Sequence, residues 1–447
     1  MKIIIVGAGP AGLAAYLHLK KHLRLSPDNS SHQLSIFESH RSNINVQTSS
    51  LAELNASTAL VGGGLGVGPN GMRVVRKLDP QIHDRLENEG FVCDNFTFRS
   101  ARGFVLATTP ATDRKELPEH CVSIARHTVW ECLKDAVGED NISFRKVSGA
   151  YRNEAGKPCI KFADKGEDEQ ADLIIGADGV WSKVKDAALE GIEDKGQYDA
   201  VSEGLLGVGG FVEMPLPDHV LRDKTLCFTF GRNGFFGYGS HRPANQNQMM
   251  WWSTYQDDSL PDKKVIDRDR ILEELRKRHQ DWKDPVIHDI INKVQVDSVY
   301  PTWTLPELPT WGGNGFILIG DAAHALQSTS GQGVSQALED SLTLALLLRG
   351  FLQKAASGSM TEEEAIDRTA KTLYQIRNPR VQKIAAFAAQ SASGKRELTL
   401  VAEFMMCFFL GLIGKFPSVG KLLLGNYNNE LYDWDAEKLV EEALSLQ

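Results

Sequence analysis

Two hydrophobic patterns alternate along the chain. Ile3 to Val6 is a short, wholly apolar run rich in β-branched residues, as in a strand covered on both faces; behind it, apolar residues at 13, 14, 17 and 19 keep helical spacing. The order of apolar run, glycine and helix-like periodicity returns at Leu173 to Ile175 and at Phe316 to Ile319. Residues 200–260 read differently. There apolar and small residues alternate between turn signals such as "RNG" and "RPANQN", which predicts an antiparallel sheet. "DRDRILEELRKRH", 267–279, carries charge pairs at helical spacing and predicts a surface helix. Beyond 350 the pattern is helical, with Pro379 expected to bend or divide the segment 361–392. Phe404 to Ile413, "FMMCFFLGLI", is almost wholly apolar but only about half as long as a bilayer-spanning helix. It reads either as a buried core helix or as a shallow membrane insert.

Composition narrows the function classes. With 447 residues the chain can bury a large core without metal or disulfide staples. Its six cysteines, at 93, 121, 132, 159, 227 and 407, form no CxxC pair and have no histidine at ligand spacing. That pattern argues for a reducing, cytoplasmic setting and against a metal site. A formal charge of −9 without a basic block argues against nucleic acid as a partner. The apolar N-terminus lacks a cleavage pattern and is expected to be part of the fold.

The candidate chemistry lies in the turns after the apolar runs. In "GAGPAG" Gly7 permits a sharp turn, Gly9 lets backbone approach a pyrophosphate, and Gly12 lets helix and strand pack closely. The helix start then offers free N–H groups to phosphate. A separate apolar stretch, Leu34 to Phe37, ends in Glu38, placed to accept from a ribose hydroxyl; Arg41 faces either the adenosine or solvent. These residues predict dinucleotide binding but do not separate FAD from NAD. "GADGVWSKVK" places Asp178 at the end of the second run. "GDAAHALQSTSGQGV" places Asp321 at the end of the third, where parallel sheets bind ligands, and offers N–H groups at Gly331, Gly333 and Val334. Either alone reads equally well as an ordinary strand-to-helix turn capped by aspartate.

Together with "ALED" (337–340) and the helix phrase "IARHTVWECL" (124–133), this ordered triplet resembles the group A flavoprotein monooxygenases of the para-hydroxybenzoate hydroxylase fold. "GFFGYG" and "MMWWST" resemble fungal secondary-metabolism members. The resemblance implies an α/β fold: a Rossmann-like FAD-binding domain of the glutathione reductase type, an antiparallel-sheet substrate domain and a helical C-terminal segment. Their expected extents are 1–76, 100–185 and 295–350 for the first, 77–99 and 186–294 for the second, and 351–447 for the third. It implies that Gly7, Gly9, Gly12, Glu38, Arg126 and Asp321 bind FAD, with Asp178 linked to FAD and NAD(P)H. The implied activity takes NADPH or NADH as transient reductant and O2 as oxidant, and hydroxylates or epoxidises an aromatic or polycyclic, phenol- or indole-type compound through a flavin C4a-hydroperoxide. A flavin oxidase or halogenase, or a non-catalytic flavin-binding protein, remains open on the same motifs.

For catalysis Tyr238 is the candidate hydrogen-bonding group, with Lys185 as a cationic partner. One of Trp251 and Trp252 is expected to face the substrate and the other to pack outward, because neighbours in a strand point to opposite faces. Gln327 and Ser328 stand where relatives carry prolines beside the flavin, which predicts a looser loop with extra polar groups in the pocket.

Overall fold

The computed structural model describes residues 1–23, 32–40, 63–112, 119–257, 267–294, 296, 298–392, 397–416, 418 and 427–446. Arg41 lies outside these. The first apolar run becomes the strand Lys2–Val6, paired in parallel with Leu173–Gly176 on one side and Gln33–Phe37 on the other. Phe316–Leu318 joins in parallel beside Leu173–Gly176, so all three apolar runs enter one six-stranded sheet. Ile3, Ile4, Ile5, Leu173, Ile174, Ile175, Phe316 and Ile317 have no solvent exposure, as expected of a sheet covered on both faces, and Phe162 of a three-stranded sheet packs on Phe37. Pro10–His22 and the long helix Gly333–Ala356 pack on it, joined where Ser341 Oγ donates to the Ala11 carbonyl at 3.0 Å.

A seven-stranded sheet forms the second layer, in the order Ser298–Thr304, Val201–Glu213, Gln248–Gln256, Gly234–Ser240, Thr225–Gly231, Asn95–Ser100 and Val105–Pro110. Every pairing is antiparallel except Thr225–Gly231 with Asn95–Ser100. Arg268–His279 and Pro285–Lys293 cover one face, burying Ile271, Leu275, Ile287, Ile290 and Ile291 against it. The α/β fold with an antiparallel sheet and C-terminal helices is the one expected from the sequence.

Two expectations for the tail need correcting. The helix Glu362–Ala392 runs through Pro379 without a break. Arg377 and Arg380, on either side of the proline, are each anchored by ion pairs to Glu339, and Arg377 also to Asp340; these offset the lost backbone hydrogen bond. The apolar phrase 404–413 lies in the helix Leu400–Lys415, and it is not a core helix: Phe404, Met405, Phe408 and Phe409 are each about half exposed or more. No helix among the described residues is long and apolar enough to cross a membrane.

Candidate functional site

The glycine turn has the geometry its spacing demands. Gly7 sits at φ +103, where a Cβ would lie 2.4 Å from the Ala177 carbonyl oxygen, and a Cβ on Gly12 would lie 2.0 Å from the Gly7 carbonyl oxygen. Only glycine lets the helix leave the strand this closely. At Gly9 a Cβ would meet nothing within 4 Å among the described residues, so the space in front of the helix start is open. Trp130 pins the turn by donating Nε1–H to the Ala8 carbonyl at 2.9 Å, and Glu38 accepts from the Ala8 N–H at 2.7 Å. Glu38 is thus both a strut for the turn and, with its remaining lone pairs, a hydroxyl acceptor beside it.

The other motifs converge here. Arg126 opens the helix Arg126–Val137, and its backbone N–H donates to the Gly63 carbonyl at 2.9 Å. Its charge favours the ionised forms of both Asp321 and the Tyr300 phenol, against the larger opposing effect of burial. Asp321 is accessible to solvent, yet surrounding protein pushes its carboxyl above the usual range: it sits at the bottom of an open recess. Gly320, at φ +59, makes the turn that presents it; a Cβ there would lie 2.9 Å from Ala11 Cβ. Gly331 is left-handed at φ +59, and a Cβ on either Gly331 or Gly333 would meet nothing within 4 Å among the described residues. Gly333 and Val334 begin the 24-residue helix, so free N–H groups border the same space. Gln327 Oε1 is buried with no hydrogen-bond partner among the described residues, whereas Ser328 is exposed. An open cradle, helix starts, an acceptor acid and an orphaned polar atom fit a large polar cofactor.

Asp178 shapes its own turn, accepting from Ser182 Oγ at 2.5 Å and the Lys183 N–H at 2.6 Å; burial pushes its carboxyl up to about 6. Behind the recess Asp340 takes the Gly320 N–H at 2.9 Å and His324 Nε2 at 2.6 Å. His324 therefore braces the "GDAAH" turn.

Facing the cradle is the side of the seven-stranded sheet opposite the helices Arg268–His279 and Pro285–Lys293. Gly64, in the strand Gly64–Val67, lies directly on Met250: a Cβ would overlap the Met250 sulfur at 1.5 Å. By register Met250 shares its face with Trp252, Gly237, Phe228 and Phe98. Phe228 stacks on Phe98 at 5.5 Å and meets Trp252 edge-on at 5.7 Å. Glycines let the rings lie flat: a Cβ on Gly237 would sit 2.3 Å from the Trp252 indole, and one on Gly207 2.0 Å from the Tyr300 ring.

Two expectations, Tyr238 and Lys185, fail against this geometry. Tyr238 pairs with Trp251 in the register, and both lie on the opposite face, under the two covering helices, at 0% and 1% exposure. The Tyr238 hydroxyl donates to Asp284 Oδ2 at 2.8 Å and meets His219 Nε2 at 3.1 Å, while burial pushes its phenol far above the ordinary range. It is a core group, and Trp252, not Trp251, faces the recess. Lys185 is also buried; its ammonium donates to the Tyr198 carbonyl at 2.7 Å and to Asp199 Oδ1 at 3.0 Å, clamping the turn after the second motif. Conversely, sequence reasoning missed Tyr300 and Trp303, because Pro301 between them breaks the alternation that would have marked a strand.

Residues 116–373, more than half of the chain, match the FAD binding domain family. The chain belongs to that family. This FAD-binding protein is 31% identical over 252 residues to a chloroplastic zeaxanthin epoxidase of Spinacia oleracea, a match covering 55% of the chain and 34% of the epoxidase. It is 26% identical over 309 residues to the 6-hydroxynicotinate 3-monooxygenase of Pseudomonas fluorescens, covering 66% of the chain and 74% of that enzyme. Matches to zeaxanthin epoxidases of several plants span only 34–41% of their length. The crystal structure of Klebsiella pneumoniae HpxO complexed with FAD and uric acid superposes with a TM-score of 0.67 at 18% identity, covering 100% of this chain and 96% of HpxO. Family and fold are thus those that the three motifs imply, and the cofactor is FAD.

Proposed function

We propose that this flavoprotein is a monooxygenase that uses NADPH or NADH and O2 to hydroxylate or epoxidise an apolar aromatic or polycyclic small molecule. The observation that carries the reading is the recess itself, where an open dinucleotide cradle meets a half-buried wall of Phe98, Phe228 and Trp252. FAD supplies the redox and oxygen chemistry when bound; the chain holds it, excludes water and positions the substrate. In this reading Gly7, Gly9 and Gly12 admit the pyrophosphate, Glu38 takes ribose hydroxyls, and Arg126 counters phosphate charge. Asp321 and the N–H groups of Gly331, Gly333 and Val334 border the flavin, with Asp178 at the approach for the nicotinamide. The aromatic wall has few polar groups and selects an apolar, planar substrate; Gln327 and Tyr300 supply the hydrogen bonds that orient it. The names of the relatives, an epoxidase and an aromatic monooxygenase, support both outcomes.

The test is to purify the protein, read its flavin absorbance, and follow NADPH or NADH oxidation with O2 uptake across phenols, indoles and polyenes. Substrate-stimulated oxidation that yields an oxygenated product supports the reading. Substrate-dependent peroxide formation without NADPH or NADH, with the substrate itself reducing the flavin, would make the protein an oxidase, and ligand binding without turnover would make it a sequestering protein.

A further inference from the structure

The helix Leu400–Lys415 turns its phenylalanines to solvent and buries its one carboxylate. Leu400, Val401, Phe404, Met405, Phe408 and Phe409 are exposed in an apolar stripe at helical spacing, and the one other exposed side chain of the helix is Lys415 at its end. Its less exposed positions mix small residues, Ala402, Gly411 and Gly414, with Met406, Leu410 and Ile413, and the one buried side chain is the charged Glu403. Gly414 lies against the strand Val105–Pro110 so closely that a Cβ would sit 2.5 Å from the Leu106 carbonyl oxygen and 2.7 Å from Ala107. Glu403 is 3% exposed and pairs with Arg102 at 3.4 Å. The chain has thus buried a carboxylate to turn phenylalanines outward, the reverse of what water selects.

The patch extends beyond the helix. The Arg102 guanidinium lies over the Phe404 ring at 4.6 Å, and two residues on, Phe104 and Val105 are 67% and 56% exposed. A basic rim surrounds it: Arg102, Arg232, Lys283 and Lys415 are all exposed. Lys283 sits beside Gly103, and the Arg232 carbonyl accepts from the Leu398 N–H just ahead of the helix. Of the acids near by, Glu397 is paired with Arg278 at 3.1 Å and Glu403 with Arg102. The local charge thus opposes the overall −9.

We propose that this face is a docking surface for an anionic lipid bilayer, with the helix lying in the plane of the interface. At 16 residues it is about 24 Å long, short of the roughly 20 residues a span requires. Lying flat, it sinks its phenylalanines among the acyl chains while the basic rim meets lipid phosphates. A two-fold contact with a second copy would instead press the same basic rim against itself. The helix rests on Ala107, which pairs with Phe98 of the aromatic wall, so the bilayer borders the recess. If the monooxygenase reading holds, this arrangement supplies a lipid-dissolved substrate; the docking itself does not depend on that reading.

Flotation of the purified full chain with phosphatidylcholine vesicles containing about one-third phosphatidylserine tests it. Wild type is expected to float with the vesicles. Phe408→Ser with Phe409→Ser should lower binding about tenfold or more while leaving bound flavin and melting temperature unchanged. Lys415→Glu should weaken binding to the anionic vesicles several-fold, and binding to pure phosphatidylcholine hardly at all. Wild type that stays at the bottom of the gradient, or a double variant that floats equally well, overturns the proposal. So does a concentration-dependent dimer that the double variant splits, since that assigns the face to a second copy. Flotation without substrate-stimulated NAD(P)H oxidation would sink only the monooxygenase reading.

Discussion

Tyr238→Phe separates the two faces of the seven-stranded sheet. The substitution removes one hydroxyl and keeps the ring, so its whole effect lies in the contacts to Asp284 at 2.8 Å and His219 at 3.1 Å. Asp284 would not be orphaned: Arg99 holds it at 3.0 Å, and it still caps the Val286 N–H at 3.1 Å. The cost should therefore be that of one hydrogen bond to a charged group, about 1.5–2 kcal/mol, seen as a modest drop in melting temperature. Turnover should stay within about twofold of wild type, because the hydroxyl is behind the sheet and touches no recess residue. Trp252→Ala, on the other face, should raise KM about tenfold or more by stripping an aromatic contact from the substrate, with FAD content unchanged. Steady-state NAD(P)H oxidation and a thermal melt of each variant decide the matter. A tenfold loss of kcat in Tyr238→Phe without a change in melting temperature would refute the assignment of faces.

Other consequences concern the cradle, the tail and pH. Gly9→Val should abolish retention of FAD in gel filtration, since its side chain would fill the open space before the helix start; full occupancy would mean the pyrophosphate lies elsewhere. His18 is fully buried with neither ring nitrogen partnered among the described residues, and burial holds its pKa at about 3 against an ordinary 6.5. Because the fold accepts only the neutral ring, stability from this site is complete above pH 6.5 and is lost as pH falls toward 3, by roughly 5 kcal/mol at the limit. His18→Leu should therefore flatten the acid limb of a denaturation series, and an unchanged limb would contradict the placement. Arg377→Ala should cost about 3–5 kcal/mol in chemical denaturation by leaving Glu339 and Asp340 underpaired, with a loss below about 1 kcal/mol counting against the network.

What could be read from the sequence follows from how local each constraint is. Gly7, Gly12 and Gly320 are required by contacts with backbone or with the adjoining helix, so "GAGPAG" and "GDAAH" announced their turns without knowledge of the rest. The aromatic strands did not. Alternation established that Trp251 and Trp252 point opposite ways, but not which way is inward. That is decided by the helices Arg268–His279 and Pro285–Lys293, which come later in the chain and cover the Trp251 side. Lys185 was misread for a similar reason: its partners, Tyr198 and Asp199, lie in a turn 13 and 14 residues on, with no spacing rule to link them.

The tail shows how far such non-local control reaches. Arg377 lies in the second of the long C-terminal helices, fully buried, yet its guanidinium is shared by Glu339 and by Asp340 at 2.7 Å. Asp340 in turn holds the Gly320 N–H and His324, the turn that presents Asp321 to the cofactor recess. Asn70, at the start of the helix after the glycine-rich strand, donates to Glu339 at 2.6 Å, and Trp434 stacks over Arg377 at 4.8 Å and Arg380 at 4.7 Å. The segment beyond 350 therefore fixes the turn that carries Asp321 through charge, although it contributes none of the residues proposed for the cofactor. Removing one member leaves buried charge uncompensated next to that turn, so damage in the tail should register first as weakened flavin binding and only then as lost secondary structure.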